Sequence, residues 1–392
     1  MSARGPESHP GGGAHPRRGA HPGGGAHPDR RERLRVAVLM GGPSPEREIS
    51  LATGRQMLAA LDPARYEAVA IEVLRDGRWT LAPPAGAPPQ LSPPAAPEGA
   101  GSPTRGLARR GALGIDRVMD RGGVDVVIVA MHGPYGEDGT VQGLLELLGV
   151  PYTGSGVLAS ALAMDKLRSR QLFGFNDIPV PAYLVAERGR VADLEGLAAQ
   201  VATVLGYPCV VKPNALGSSI GVSIVRDPRR LGPALETAWR YDAVALVEEF
   251  IAGTEVTCAV LDDPATGAPQ ALPLIEIVPR REFFDYEAKY TPGASEEICP
   301  ARLPPALTAR AQEVALRAYR VLGCRDLARV DMFVRGEQVI VLEVNTIPGM
   351  TAASLLPQAA RAAGIAFPAL LDRLVALALR RRTPPPSAGA VP

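Results

Sequence analysis

Short apolar runs alternate along the chain with longer segments in which apolar residues recur at helical spacing. The apolar runs that predict buried strands lie at residues 34–40, 66–74, 124–131 and 245–251. The segments whose spacing predicts helices are residues 141–148, 157–172, 305–322 and 366–381. Strands that alternate with helices are typical of an α/β protein with a doubly wound sheet. None of the apolar runs is long and uninterrupted enough to span a bilayer.

Two further apolar runs near the end of the chain predict a β-hairpin with a polar face. Side chains alternate across a strand, so Arg329 and Asp331 share one face, and so do Glu343 and Asn345. Two carboxylates and an amide oxygen suit Mg²⁺, which takes one or two carboxylates together with substrate phosphates. A solvated outer face of the hairpin is the alternative. The Pro-Gly turn that ends at Gly349 favours the metal site, because it places backbone amides close to whatever the metal holds.

A glycine-rich turn follows the first apolar run and leads into a helical pattern. Ser44 is the predicted N-cap, and Pro45 suits the first helical position. A strand, a glycine-rich turn and a helix N-terminus form the ligand sites of doubly wound sheets. The GxGxxG pattern is absent, so the turn is not a dinucleotide fingerprint. Glu46 is a candidate site residue, although a carboxylate here can simply complement the helix dipole.

One histidine, His132, lies outside the N-terminal segment, directly after the apolar run at residues 124–131. Ligands bind at the carboxyl ends of strands in such sheets, and a glycine-rich loop follows this residue at once. A ligand-binding role and an ordinary structural role are both open for this side chain.

A loop of small and hydroxyl-bearing residues follows Lys212, between two short apolar runs. Backbone amides and the hydroxyls of Ser218 and Ser219 in such a loop can hold phosphate oxygens. The Walker pattern is absent, so a nucleotide here would be held by a different fold. An ordinary glycine-rich hairpin is the alternative.

Acidic and aromatic residues mark the next two segments. The strand predicted at residues 245–251 carries Glu248 and Glu249, which could receive a ribose or an adenine amino group, and Glu255 opens another strand. Residues 284–295 combine aromatic side chains with Lys289 and Tyr290 and end in a run of small residues, a composition typical of a mobile loop. Such a loop could close over a reacting centre and exclude water.

Composition limits the partners of the chain. Its 392 residues carry a formal net charge of +1, with a pI near 7.7, which argues against nucleic acid or an anionic membrane as the main partner. Four widely spaced cysteines without a CxxC pair indicate reduced thiols in a cytoplasmic protein. Lysine occurs only at Lys166, Lys212 and Lys289, and each lies in a motif identified on other grounds.

Three segments of biased composition flank or interrupt the predicted elements. Residues 1–33 repeat Gly-Ala-His-Pro and predict a disordered leader that lacks the apolar region of a secretory signal. Metal binding by its histidines is a less favoured alternative, because no fold would fix their geometry. Residues 83–114 predict a flexible insertion, and residues 383–392 predict a disordered tail.

Taken in order, the motifs of this chain resemble those of the D-alanine–D-alanine ligases of the ATP-grasp superfamily. They are GGPSPERE, HGPYGEDG, PYTGSG, MDKLRSR, VVKPNALGSSIGV, YEAKY, ARVDMF and LEVNTIPGMT. Their joint occurrence, from about residue 34 to about residue 381, is far more specific than any one motif. The resemblance implies a doubly wound α/β domain at residues 34–163. A two-domain ATP-grasp fold of α+β character follows, with its central domain at 164–247 and its C-terminal, metal-binding domain at 248–382.

The resemblance also implies roles for individual residues. ATP binding is implied for Lys166, Lys212, Ser219, Glu248, Glu249, Ile251, Glu255 and Lys289. Two Mg²⁺ or Mn²⁺ ions would be held by Asp331, Glu343 and Asn345. A hydrogen-bonded trio that orients the substrate would consist of Glu46, Ser218 and Tyr290. The oxyanion would be stabilised by Arg329 and the amide of Gly349, and the D-alanine sites would be lined in addition by His132, Ser354 and Leu355.

The reaction that the resemblance implies is the ATP-dependent ligation of two D-alanines through a D-alanyl phosphate. It releases ADP and phosphate and supplies peptidoglycan precursors for the cell wall, in a cytoplasmic homodimer without nucleic-acid or membrane partners. The Tyr290 loop favours an amine acceptor, and a ligase that makes a depsipeptide or another dipeptide is the nearest alternative. A non-catalytic ATP-binding module is a further alternative, against which the complete set of lysines and metal ligands argues.

Overall fold

The computed structural model describes residues 33–81, 123–279 and 295–381. The leader up to residue 32, the insertion, the tail and the loop with Lys289 and Tyr290 lie outside the described residues. The described strands are β1 (Leu34–Gly41), β2 (Tyr66–Val73), β3 (Trp79–Leu81), β4 (Val126–Val129), β5 (Tyr183–Glu187), β6 (Cys209–Pro213), β7 (Ser223–Val225), β8 (Val244–Glu249), β9 (Thr254–Asp262), β10 (Pro269–Ala271), β11 (Ile275–Pro279), β12 (Ser295–Ile298), β13 (Leu327–Arg335) and β14 (Gln338–Asn345). The described helices are α1 (Arg47–Ala60), α2 (Thr140–Leu147), α3 (Val157–Met164), α4 (Lys166–Phe175), α5 (Leu194–Val204), α6 (Leu231–Ala238), α7 (Pro305–Val321), α8 (Leu355–Ala362) and α9 (Phe367–Arg380).

The first sheet confirms the predicted α/β class. Its strand order is β3-β2-β1-β4, with β1 parallel to β2 and β4, and β3 antiparallel at the edge. Val36 and Val38 of β1 belong to the core on one face, whereas Ala37 and Leu39 belong to the core on the other, and all four are fully buried. Burial on both faces is the reason that β1 is a continuous apolar run rather than an alternating one.

The second and third sheets are antiparallel. The second has the order β12-β11-β9-β13-β14, with β10 paired to β9, and the third has the order β5-β8-β6-β7. Strands β13 and β14 form the predicted hairpin, in which Asp331 lies opposite Glu343. The register then shifts, so that Met332 lies opposite Val341 and Leu342 is the extra residue of a β-bulge.

The last helix, α9, packs against β4 of the first sheet and against α1, whereas α8 packs against β9 of the second sheet. Helices α8 and α9 share a hydrophobic core with β1, β4 and α1, in which Leu356, Leu370 and Leu374 are buried. The domain boundaries given above remain predictions. Within the described segments, no single helix is long and apolar enough to cross a membrane, and α8 and α9 meet that criterion only as a pair bent by 102°.

The structure corrects three local predictions. The helix predicted at residues 157–172 is interrupted at Asp165, whose backbone is extended and whose carboxylate caps α4 by accepting from the Arg168 amide at 2.9 Å. Ser44 is not the N-cap: α1 begins at Arg47, and the Ser44 hydroxyl accepts from the Glu46 amide at 3.1 Å instead. The strand predicted at residues 124–131 is shorter, because only the four residues of β4 pair with β1.

Candidate active site

A cavity of about 460 Å³ lies between the second and third sheets. Its volume is typical of pockets that hold small ligands, and its walls include the apolar side chains of Val210, Ile277 and Phe333. The residues predicted to bind ATP or metal that line it are Lys166, Lys212, Ser219, Glu248, Glu249, Ile251, Glu255, Asp331 and Glu343. Segments far apart in the sequence therefore converge on one cavity.

Two cations share the buried carboxylate of Glu248. Lys212 Nζ lies 2.6 Å from Oε2, and Arg170 Nη2 lies 2.5 Å from Oε1. Burial lowers the pKa of Lys212 to about 8, and the positive charges of Arg170 and Lys166 act in the same direction while Glu248 opposes them. Arg170 is not among the residues predicted from the sequence, although it lies one helical turn after Lys166 on α4.

Lys166 and Glu343 pair within the same cavity. Lys166 Nζ lies 3.1 Å from Glu343 Oε2 and donates to the carbonyl of Leu216 at 2.7 Å. The start of α4 is anchored beside it, because the side-chain oxygen of Asn214 accepts from the Leu167 amide at 2.8 Å. Each charge of the pair compensates the other at a place where both side chains are largely shielded from water.

The neighbouring Glu249 also lines the cavity, but its carboxylate is engaged at the rim. Oε1 accepts from the Ala182 amide at 3.1 Å, and Oε2 lies 2.8 Å from Arg335 Nη1. Adjacent residues of a strand point to opposite faces, so only Glu248 of the two is buried. The structure thus separates two glutamates that the sequence analysis grouped together.

The carboxylate of Asp331 is bonded on both oxygens. Oδ1 accepts from Arg329 Nε at 2.8 Å and from the Thr257 hydroxyl at 2.6 Å, whereas Oδ2 accepts from Arg329 Nη2 at 2.7 Å and from Asn345 Nδ2 at 3.0 Å. These contacts confirm that Arg329 and Asp331 share a face. Because the Asp331 side chain is buried, the alternative of a solvated outer face is wrong.

The donor set on the hairpin fits a hard divalent cation. Asp331 and Glu343 lie directly opposite each other, and Asn345 contacts Asp331 on the same face. Two carboxylates and an amide oxygen are ligands that Mg²⁺ accepts together with phosphate oxygens and water. The part of the chain that the structure describes has no group of three or more His, Cys, Asp or Glu residues arranged for a metal ion.

A second group of predicted residues surrounds Glu46. The hydroxyl of Ser218 donates a hydrogen bond to this buried carboxylate, so two members of the predicted trio are together, while Tyr290 lies outside the described residues. Ser218 and Ser219 have φ of 54° and 56°, a backbone conformation that non-glycine residues rarely adopt outside functional loops. Gly133, at φ +71°, packs against the same carboxylate, and a Cβ there would lie 2.4 Å from Glu46 Oε2.

His132 links the first sheet to the segment that follows β14. Nδ1 donates to the carbonyl of Ile347 at 3.0 Å, which leaves Nε2 as the acceptor for the Thr53 hydroxyl at 3.1 Å. Burial, together with the charge of Arg329, lowers the pKa of His132 to about 4. The imidazole is therefore neutral at pH 7, and both of its nitrogens are engaged.

Glu137 belongs to this group but was not identified from the sequence. Its carboxylate accepts from the Gly133 amide at 2.7 Å and from the Ile347 amide at 3.2 Å. Burial and the nearby charge of Glu46 raise the pKa of Glu137 well above its ordinary value. The signal that could have identified it is its place in the HGPYGEDG motif, two residues before the glycine that precedes α2.

Gly349, Ser354 and Leu355 are also brought together. A Cβ at Gly349 would lie 2.8 Å from the Ser354 hydroxyl, so the turn depends on glycine. That hydroxyl accepts from the Thr351 amide at 3.0 Å, and Leu355 is the first residue of α8. The loop after β14 is thereby held in a compact turn that begins immediately after Ile347, the partner of His132.

A smaller cavity of about 20 Å³, room for about one water molecule, lies between the residues that line the larger cavity and the residues around Glu46. Its lining residues include Glu137, Asn345 of the hairpin and Gly217, which lies beside the Glu46 carboxylate. Lys166 and Glu343 line both cavities, so the two groups meet at this ion pair.

A mostly parallel sheet, followed by two antiparallel sheets that enclose a charged cavity, matches the architecture of the ATP-grasp class of proteins. The family described as "D-ala D-ala ligase N-terminus" matches residues 35–155, and "D-ala D-ala ligase C-terminus" matches residues 172–376. The chain belongs to the D-alanine–D-alanine ligase family.

Individual proteins give the same result. A D-alanine–D-alanine ligase of Syntrophobacter fumaroxidans is 48% identical over 89% of this chain and 98% of its own length. The structure of the D-alanine–D-alanine ligase from Coxiella burnetii, 31% identical, has a TM-score of 0.72 over 90% of this chain and 95% of that one. The structure of the Bacillus anthracis ligase complexed with ATP, 35% identical, has a TM-score of 0.68 over 89% and 98%.

Proposed function

We propose that the protein joins two D-alanines into D-alanyl-D-alanine, using ATP and passing through a D-alanyl phosphate. The observation that carries the proposal is the position of the Lys166–Glu343 pair, which borders both the larger cavity and the smaller one beside Glu137. The pair therefore lies where the residues of the larger cavity meet those around Glu46, so that a phosphoryl group held by Lys166 would be close to a small carboxylate held beside Glu46. Membership of the ligase family supports the same reading.

ATP occupies the larger cavity in this proposal. Glu248 receives the adenine, Glu255 the ribose, and Ile251 packs beside the nucleoside, as the family resemblance implies. The phosphates are held by Lys166, Lys212, Lys289 and the Ser219 loop. Several of these side chains are already close to one another, which supports the assignment.

Asp331, Glu343 and Asn345 are the residues that hold Mg²⁺ or Mn²⁺ in this proposal. Such ions neutralise charge on the transferring phosphoryl group when bound. To serve as ligands, Asp331 has to release some of its bonds to Arg329 and Asn345, and Glu343 has to release Lys166. The lysine then becomes available to the phosphates.

In the first step, a carboxylate oxygen of one D-alanine attacks the γ-phosphorus of ATP. The bond from that phosphorus to the bridging oxygen breaks, ADP leaves, and D-alanyl phosphate remains. Glu46, Ser218 and Tyr290 orient the substrate, and the neutral His132 lines its site without adding charge. Lysine side chains offset the negative charge of both reactants.

In the second step, the deprotonated amine of another D-alanine attacks the carbonyl carbon of the acyl phosphate. Arg329 and the amide of Gly349 stabilise the tetrahedral oxyanion, which collapses with loss of inorganic phosphate. Ser354 and Leu355 line the site of the second D-alanine. Exclusion of water protects the acyl phosphate from hydrolysis between the two steps.

The biological setting follows from the product. A D-alanyl-D-alanine dipeptide serves peptidoglycan precursor synthesis, and thereby the cell wall and cell shape, in the cytoplasm. The active form in this proposal is a homodimer that associates through the first α/β domain.

The test is ADP release with Mg-ATP and D-alanine, beside L-alanine and beside D-alanine with D-lactate, with products identified by mass. Turnover with D-alanine alone that yields the dipeptide supports the reaction and the acceptor together. A depsipeptide as the main product would overturn the amine acceptor. Absence of turnover from a folded protein that binds ATP would overturn the enzymatic proposal.

A further inference from the structure

Arg170 has no part in the chemistry proposed above, although it lies next to the nucleotide cavity. Its side chain has no solvent exposure, and within the described residues its one ion pair is with Glu248. Lys212 and Glu248 line the cavity, whereas Arg170 does not. An arginine that reaches neither ligand nor solvent acts through the carboxylate that it faces.

The carboxylate of Glu248 has one oxygen for each cation. Oε1 lies 2.5 Å from Arg170 Nη2, and Oε2 lies 2.6 Å from Lys212 Nζ. The guanidinium has a second contact that does not involve Glu248, because Arg170 Nη1 donates to the backbone carbonyl of Lys166 at 3.3 Å. Arg170 can therefore keep its position when Lys212 moves.

Lys212 cannot serve a phosphate and Glu248 equally at the same time. A lysine that turns to a phosphate leaves a carboxylate that is only 3% exposed, and an unpaired buried charge opposes the change strongly. A second, permanent cation on the other oxygen removes this obstacle. The buried arginine supplies that cation.

We infer that Arg170 is a positioning residue for ATP binding: it is the resident counter-ion of Glu248, and it frees Lys212 to transfer its charge from Glu248 to the phosphates of ATP. The inference rests on the proposed function, because it requires a polyanionic ligand beside Lys212. It assigns Arg170 to nucleotide affinity and not to either chemical step.

The test is equilibrium binding of Mg²⁺ with a non-hydrolysable ATP analogue to the full chain, measured by calorimetry. The variants are R170M, E248Q and R170M/E248Q. R168M is the matched control, because Arg168 lies exposed on the same helix and its side chain contacts Gln171. Circular dichroism melts show whether each variant is folded.

In the wild-type background, R170M weakens binding of the analogue by at least about tenfold, because Lys212 then stays with Glu248. In the E248Q background the same substitution weakens binding by less than about threefold, because no buried carboxylate remains to be compensated. R170K keeps the charge and stays within about threefold of the wild type. R168M binds as the wild type does.

Equal losses from R170M in both backgrounds would overturn the inference, since packing rather than charge would then be at work. So would a loss in R170K as large as that in R170M. If R170M does not fold, R170K and the double variant decide: R170K must match the wild type and the double variant must match E248Q. Wild-type protein that binds no analogue would instead refute the proposed function, whereas tight binding by both wild type and R170M refutes the inference alone.

Discussion

Ion pairs join the lysines of the larger cavity to glutamates, whereas two titratable side chains near the first sheet bond to the backbone of one residue. In the cavity, Lys166 and Lys212 each pair with a glutamate side chain. Near the first sheet, His132 and Glu137 bond instead to the backbone of Ile347, one to its carbonyl and one to its amide. Two side chains can exchange partners when a ligand arrives, whereas a backbone group in a packed segment stays where it is.

This difference matches what each region binds in the proposed function. A polyanion that enters the cavity competes with carboxylates for the same lysines, so the unliganded pairs keep the cations in place and compensated. A small substrate near the first sheet gains more from groups that are already oriented, because little rearrangement is needed on binding. The Lys166–Glu343 contact is the boundary between the part of the site built from side-chain ion pairs and the part built from bonds to the backbone.

The largest expected effect comes from removing the carboxylate of Glu343, the ion-pair partner of Lys166. Glu343→Ala should lower kcat by about a thousandfold or more, because a metal ligand and the partner of Lys166 are lost together. ADP release measures the effect; the melting temperature should also fall, because the buried Lys166 loses its partner, although the protein should still fold. Glu337→Ala is the matched control, since Glu337 lies exposed in the turn of the same hairpin. Activity of E343A close to that of E337A would contradict the metal assignment.

The buried His132 near the first sheet should make the free energy of unfolding depend on pH. The folded pKa of His132 is about 4, below the value of 6.5 expected when unfolded, so its contribution is present above pH 6.5 and is lost as pH falls towards 4. The loss approaches about 3 kcal/mol. The raised pKa of Glu137 makes its contribution to stability fall as pH rises, which is the opposite dependence. The contribution of His132 is therefore measured as the difference in free energy of unfolding between wild type and His132→Asn, by denaturant unfolding at pH 7, 6 and 5. Parallel profiles for the two proteins would rule out a buried neutral imidazole.

An intermediate effect is expected from the titration of Lys212. Its pKa of about 8 means that the ammonium is lost as pH rises further, so affinity for the ATP analogue should fall by about fivefold between pH 8 and pH 9. Lys212→Arg keeps its charge throughout this range and should give a flat profile. A wild-type profile as flat as that of K212R would show that Lys212 is protonated well above pH 8.

The smallest effect should come from the Arg335–Glu249 pair at the edge of the larger cavity. Arg335 and Glu249 form a partly exposed pair, with side-chain exposures of 41% and 21%, and such pairs contribute less than about 1 kcal/mol. Arg335→Ala should therefore change the KM for ATP by less than about threefold. A rise in KM of about tenfold or more would mean that the Arg335–Glu249 pair contributes to ATP binding as strongly as the buried residues of the cavity.

Local regularities made part of the site predictable. The period of two along a strand was sufficient to place Arg329 and Asp331 on one face of the hairpin, and the side-chain bonds between them bear this out. The glycine-rich loop with Ser218 was likewise recognisable from its composition, and its positive φ angles agree. Both features depend on residues close in sequence.

Other features depend on distant partners or on competition between local interactions. The His132–Ile347 bond joins residues 215 positions apart, and no pattern near either residue indicates it. Asp165 interrupts an apolar periodicity that is continuous in the sequence, because its carboxylate gains the amide of Arg168 when the backbone turns. Nothing in the sequence distinguishes Arg170 from the other arginines of this arginine-rich chain, and only its contact with Glu248 in the structure does so.

The bulge in the hairpin determines which side chains reach the cavity. Consecutive residues of a regular strand face opposite sides, yet Leu342 and Glu343 both line the same cavity as Asp331 and Phe333. Because of this additional residue, the neighbouring residues Leu342 and Glu343 both contribute side chains to the cavity, one apolar and one acidic. Deleting Leu342 would restore regular pairing, keep Glu343 opposite Asp331 and remove the apolar surface. In the proposed function, packing of ATP against Leu342 and metal binding by Glu343 would therefore be separable by deleting a single residue.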